Sequence, residues 1–115
     1  MLRTLIHASS HPFRGDEAAI TLRPGTQGAQ GAGVYLSEGE ADIRASDSCV
    51  LNGLRCVFVL ECDTNKEWYR SKNSADRKKG RPKTWHTNGA SLHITVTDSV
   101  NKDGVTFIYG KGERQ

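Results

Sequence analysis

Residues 54–62, LRCVFVLEC, place the tightest constraint on what this chain can fold into. Val57, Phe58 and Val59 have β-branched or aromatic side chains that suit a pleated surface, and the apolar positions follow one another without alternating. Such a run reads as a strand buried on both faces over much of its length, which makes it a central strand of a sheet. Shorter strand signals lie on either side of it. Residues 2–6 are apolar and end in His-Ala-Ser-Ser, residues 33–36 form a second short apolar run, and residues 90–97 (ASLHITVT) alternate clearly. The run at 105–109 (VTFIY) follows a turn at 101–104, so the last two strands read as a hairpin.

Between these strands the chain predicts one or two short helices and two long loops. Residues 11–32 are polar and glycine-rich, with a short helix expected near Asp16 to Ile20 and a turn at Pro24-Gly25. Ser37 is placed as an N-cap, with Glu38 and Glu40 in the first turn of a helix running to Asp47. Residues 63–84 are polar and basic and show neither period. Five strands, short helices and long loops predict an α+β domain, and 12 glycines fit its many turns. At 115 residues the chain has room for one core, so residues 1–115 are read as a single domain.

Composition removes several function classes. No run approaches the roughly 18 apolar residues of a membrane span, and the opening MLRTLIHASS lacks the apolar stretch of a secretory signal. Cys49, Cys56 and Cys62 show no CxxC spacing, so they are read as reduced thiols of a cytosolic protein, or of an effector delivered into a target cell's cytosol. His7, His11, His86 and His93 sit in different segments without a close pair, and no metal site is expected. Charge is uneven: from Arg70 to Lys83 there are seven basic residues against the single acid Asp76. That run is either a solvated loop or a patch that meets phosphate or an acidic surface. Trp68, Tyr69 and Trp85 bracket it, and they either cover the sheet edge or stack on a single-stranded nucleic acid.

The residues that carry chemistry are His7 at a strand end and the segment GAGVYLSE beginning at Gly31. Gly31 and Gly33 allow the backbone to approach a ligand, and Tyr35 offers a ring to a flat heterocycle. A neutral imidazole can donate a hydrogen bond to a ribose hydroxyl, and the backbone amide and carbonyl of Ala8 can pair with a carboxamide. These are the contacts that nicotinamide riboside requires. No GxGxxG follows a strand and opens a helix, so a Rossmann mode of binding is not predicted.

In order and context these pieces resemble the ADP-ribosyltransferase family, in particular its poly-ADP-ribose-polymerase-like branch. His7-Ala8-Ser9 is similar to that family's His-Gly-Ser/Thr motif, and Gly31-Ala32-Gly33-Val34-Tyr35-Leu36 to its Gly-x-Gly-[Ile/Val]-Tyr-Phe motif, which precedes a helix with small residues. The apolar strand and polar loop after it extend the resemblance over roughly the whole chain. The resemblance implies a small α+β fold with a central, mostly antiparallel split sheet, and NAD as the bound molecule. It also implies that His7 holds the nicotinamide-side ribose, Tyr35 stacks on the nicotinamide, Ala8 binds the carboxamide and Ser9 lies near a ribose, while Gly33 keeps the approach open.

The family pattern breaks at its third position, where many members place a Glu at the start of a late strand. Here that strand begins at Ala90-Ser91-Leu92, which makes Ser91 the positional match, with Asn88 or His93 as polar substitutes nearby. Glu61 and Asp98 stand at other places in the strand order. Without the Glu, three activities stay open. The first is transfer of a single ADP-ribose to a protein or nucleic-acid acceptor held by the loop from Arg70 to Lys83, as in a toxin-like domain. The second is a non-catalytic module that binds NAD, ADP-ribose or RNA ends. The third is a relative of RNA 2′-phosphotransferases, in which Arg23 and Arg44 would meet a phosphate.

Overall fold

In the computed structural model of the chain the described residues are 1–9, 13, 16–26, 31–38, 56–70 and 84–115. They form β1 (Leu2–Ser9), β2 (Ala19–Leu22), β3 (Tyr35–Glu38), β4 (Cys56–Asp63), β5 (Tyr69–Arg70), β6 (Thr84–His86), β7 (Leu92–Lys102) and β8 (Val105–Arg114). One continuous eight-stranded sheet holds them in the order β2-β7-β8-β4-β1-β3-β6-β5. Only β4 and β8 run parallel; the other neighbours are antiparallel.

The expected α+β class with a split sheet is therefore corrected: the described residues contain no helix and share a single sheet. The segment from Asp16 to Ile20 is not helical. Ala19 and Ile20 open β2, whose exposed and buried residues alternate with the period of a strand and pair with β7. Ser37 does not cap a helix either. It lies inside β3, opposite Ile6 of β1 on one side and Thr84 of β6 on the other, so strand pairing on both flanks overrides the local capping signal. Residues 39–47 of that predicted helix lie outside the described residues. Within the predicted 63–84 loop, Asp63, Tyr69–Arg70 and Thr84 are strand residues, and 71–83 lie outside the described residues.

The unalternating run does become a central strand: β4 lies between β8 and β1, with Cys56, Val57 and Phe58 all buried. Val57 packs on one side of the sheet with Ile6, Val105 and Phe107. Phe58, Leu60 and Cys62 pack on the other with Leu5, Leu36, Ile94 and Ile108. This larger cluster also contains Ile20 and Leu22 from the edge strand β2, together with Trp68 and Trp85 beside the opposite edge. Residues from both edges share one core only if the sheet curls around it. A hydrogen bond confirms the curl, since Arg114 Nε at the end of β8 donates to the Thr87 carbonyl next to β6 at 2.7 Å.

Two glycines make the curl sterically possible on β8. The β7–β8 register shifts between Val96 and Asp98, and at that bulge a Cβ on Gly110 would collide with the Thr95 carbonyl oxygen. A Cβ on Gly112 would sit 2.9 Å from Cys62 Sγ inside the core. The strands themselves are joined by Asp103 and Gly104, at φ 54° and 81°, a two-residue turn of the kind that suits the twist of a hairpin. Replacing Gly110 by Ala is expected to cost about 1–3 kcal/mol in denaturant unfolding, because backbone meets backbone there and no side chain can yield. An unchanged unfolding midpoint would show that the close approach is not required.

Candidate functional site

His7 lies within β1, opposite Phe58 of β4, with ring centroids 6.3 Å apart. Its Nδ1 is 2.6 Å from the backbone oxygen of Tyr35 on β3. A carbonyl oxygen only accepts, so Nδ1 carries the proton. Burial pushes the imidazole pKa below its ordinary 6.5, and the bond to the Tyr35 carbonyl opposes that shift without reversing it. The ring is thus neutral at physiological pH, with its lone pair at Nε2, which makes no hydrogen bond among the described residues. Such a nitrogen takes a hydroxyl proton; it repels the lone pairs of a phosphate oxygen.

The position of this bond in the sheet matters. The β1–β3 ladder runs through Leu5↔Glu38 and Ile6↔Ser37 and stops, while β1 stays paired with β4 as far as Ser9↔Cys56. The His7 imidazole bridges the two strands just past the last ladder pair. Ala8 and Ser9 continue β1 beyond that point, with Ala8 packed against the Ile6–Val57 cluster.

Tyr35 leaves its strand on the other side. Leu36 and Trp85 belong to the core cluster that also holds Phe58, whereas Tyr35 and His86, one position along each strand, face away from it. His7 is on the Phe58 side. A flat molecule lying on either face of the sheet reaches only one of the two rings, and a molecule that touches both must enter at the strand ends where the ladder stops. The Tyr35 hydroxyl donates to the Gly31 carbonyl at 2.5 Å, and its ring lies 4.7 Å from that of His86.

Gly33 lies beside His86. It forms an isolated bridge with Gly25, and a Cβ on it would come within 2.9 Å of His86 Nδ1. The missing side chain makes room for a histidine ring. Ser91 precedes β7, which is separated from β1 by β8 and β4 in the sheet, and its carbonyl accepts from Gln115 N at 3.0 Å. His93 is likewise on β7, opposite Thr21 and Glu113. The group that the fold does bring beside Tyr35 is His86, held at 3.0 Å by the Asn88 amide. The sequence weighs His86 only as a metal ligand and does not place it beside Tyr35, because Thr84–His86 is a three-residue strand at the end of a long polar stretch; the Asn88-Gly89 turn just after it was the available signal.

The nearest carboxylate on these strands is occupied. Glu38 Oε1 accepts from Arg3 Nη1 and from Trp85 Nε1, each at 2.9 Å, while the Arg3 guanidinium lies 4.8 Å from the Trp85 ring centroid. This clasp ties β1, β3 and β6 together. Glu61 instead lines a groove of about 310 Å³ with Thr4, Val59, Tyr109 and Lys111, on the sheet face that His7 does not share. Burial pushes the Cys62 thiol up to about 12, so it stays protonated and is no nucleophile. Among the described residues no three His, Cys, Asp or Glu side chains gather as a metal site, and no helix is long and apolar enough to cross a membrane. Arg70 pairs with Trp85 in the sheet, whereas the rest of the basic segment, His11 and Arg44 lie outside the described residues.

Compared with protein-family models, curated proteins and solved structures, the chain finds no match.

The half-buried neutral imidazole predicts a pH dependence. In the unfolded chain the group takes a proton near 6.5, in the folded chain only at lower pH, so stability is full above 6.5 and is lost as pH falls through the folded value. Thermal unfolding between about pH 7 and about pH 5 should show Tm falling with pH, and His7→Asn, which keeps a donor for the Tyr35 carbonyl but does not titrate, should flatten part of that slope. An identical slope in the variant would contradict the assignment.

Proposed function

We propose that this chain is a NAD-dependent mono-ADP-ribosyltransferase, with its nicotinamide riboside cradle at the ends of β1 and β3. The observation that carries the reading is the His7–Tyr35 bridge at the point where the ladder between those strands stops. It fixes a neutral imidazole in the tautomer whose Nε2 accepts a ribose hydroxyl, next to the strand that bears Tyr35. The motif resemblance adds the rest. The α+β fold that the resemblance implied is not the fold observed.

In this reading His7 orients the nicotinamide-side ribose, Tyr35 stacks on the nicotinamide and the backbone at Ala8 meets its carboxamide. The bond between the anomeric carbon and the ring nitrogen breaks, its electron pair leaving with nicotinamide, and an acceptor nucleophile attacks that carbon, the nucleophile's proton passing to solvent. Fixed groups aimed at the ribose lower the cost of the charge that develops there. With Ser91 standing where the family places its Glu, transfer of a single unit is favoured over chain growth. The acceptor is a macromolecule, drawn by the basic segment from Arg70 to Lys83. The setting is a cytosol, the chain's own or a target cell's, where thiols such as Cys56 and Cys62 stay reduced. A phosphotransferase reading is disfavoured by the bare Nε2 lone pair, which is the wrong partner for a phosphate oxygen.

Release of nicotinamide from NAD by the purified protein, with and without cell lysate or RNA, tests the proposal. His7→Asn is expected to lower kcat/KM by roughly tenfold or more, since a hydrogen bond to the ribose is lost while the Tyr35 bridge is kept, and Tyr35→Ala to raise KM. NAD that binds but is never cleaved would leave a binding module. No binding at all would sink the reading.

A further inference from the structure

Tyr35, His86 and Tyr69 stand in line across three neighbouring strands. The register sets Tyr35 of β3 opposite His86 of β6, and His86 opposite Tyr69 of β5. The His86 ring lies 4.7 Å from each neighbour, tilted by 31° to Tyr35 and by 24° to Tyr69, within the range of favourable aromatic contacts. His86 is only 2% exposed. Burying an imidazole there, where Phe or Leu would pack without desolvating nitrogen, calls for a reason.

The reason lies in what the ring joins. The Asn88 amide donates to His86 Nδ1 at 3.0 Å, which fixes the neutral tautomer with the proton on Nε2. Asn88 and Gly89 have φ of 52° and 86°, and the turn they make is laced to the segment before β3: Gly89 N donates to the Ala32 carbonyl and Val34 N to Thr87 Oγ1, at 2.8 and 3.0 Å. That same segment contains Gly31, whose carbonyl receives the Tyr35 hydroxyl, and Gly33, whose bare Cα leaves space for His86. Tyr35 is therefore held by its hydroxyl from one side and by a ring from another, and both restraints run through one small assembly.

We propose that His86 is a positioning residue: the stack Tyr35–His86–Tyr69 holds the Tyr35 ring in the orientation that receives the nicotinamide of NAD. This rests on the reading of the site given above. Tyr35 meets the ligand, and Tyr69 acts on Tyr35 through His86. A preset ring loses less freedom on binding, so the effect of the stack falls on affinity rather than on the bond-breaking step.

Two measurements on the full chain test it. The first is the flip rate of the Tyr35 ring by NMR without ligand; the second is KM and kcat for nicotinamide release from NAD. Tyr69→Leu and His86→Leu are expected to speed ring flipping and to raise KM about three- to tenfold with kcat within about twofold, the loss of one aromatic contact. His86→Phe, which restores a ring but not the Nδ1 acceptor for the Asn88 amide, is expected to bring KM only part of the way back to that of the unaltered protein. Tyr69 sits half-buried on a short edge strand, so its variant reports even if replacement of His86 prevents folding. Unchanged flipping and unchanged KM in Tyr69→Leu, with NAD still bound and cleaved, would overturn the positioning role and leave the transferase reading standing. An unaltered protein that binds no NAD would overturn the reading itself, and the proposal with it.

Discussion

A single side-chain hydrogen bond takes over where a β-ladder ends. β1 and β3 pair through Ile6↔Ser37, and the next link between them is His7 Nδ1 to the Tyr35 carbonyl. Everything chemical about the site follows from that replacement. It sets the tautomer of His7, it brings the two strands together where Tyr35 begins β3, and it leaves the imidazole lone pair on the nitrogen remote from the backbone. Burial then keeps the ring neutral, because the charged form would forfeit its hydration.

The sheet supplies rigidity around that bond. β4 holds β1 from the other side through Ser9, so His7 is anchored in a strand and does not ride on a loop. The clasp of Arg3, Glu38 and Trp85 crosses β1, β3 and β6 on the face that His7 shares, and the ring stack of Tyr35, His86 and Tyr69 crosses β3, β6 and β5 on the opposite face. The curl of the sheet closes the core between its two edges, which gives three very short strands, β3, β5 and β6, a packed surface to lie against. Such strands have little stability of their own, and burial of Leu36, Trp68 and Trp85 stabilises them here.

Strands with a strong internal pattern were legible in the sequence. Phe58 and its neighbours announce a central strand through unbroken apolar character, and residues 90–97 announce β7, observed at Leu92–Lys102, through alternation. What failed was local reading of polar segments. Ser37 and Glu38 look like the start of a helix, and only the partners on either side, Ile6 and Thr84, make them a strand; those partners are far away in sequence. The same holds for Ala19–Leu22, whose strand character comes from β7. At the site, His7 and Tyr35 were visible as a motif and do lie on neighbouring strands. The role of Gly33 as a space for His86, and the place of His86 itself, depend on contacts across strands, of which the Asn88-Gly89 turn is the one local sign.

The most direct measurement of the central claim is nitrogen NMR of the His7 imidazole near neutral pH, before and after addition of NAD. A ring neutral and protonated at Nδ1, whose Nε2 resonance moves when NAD is added and does not move with inorganic phosphate, is the predicted result. A ring protonated at Nε2, or one whose signals ignore NAD, would contradict the account.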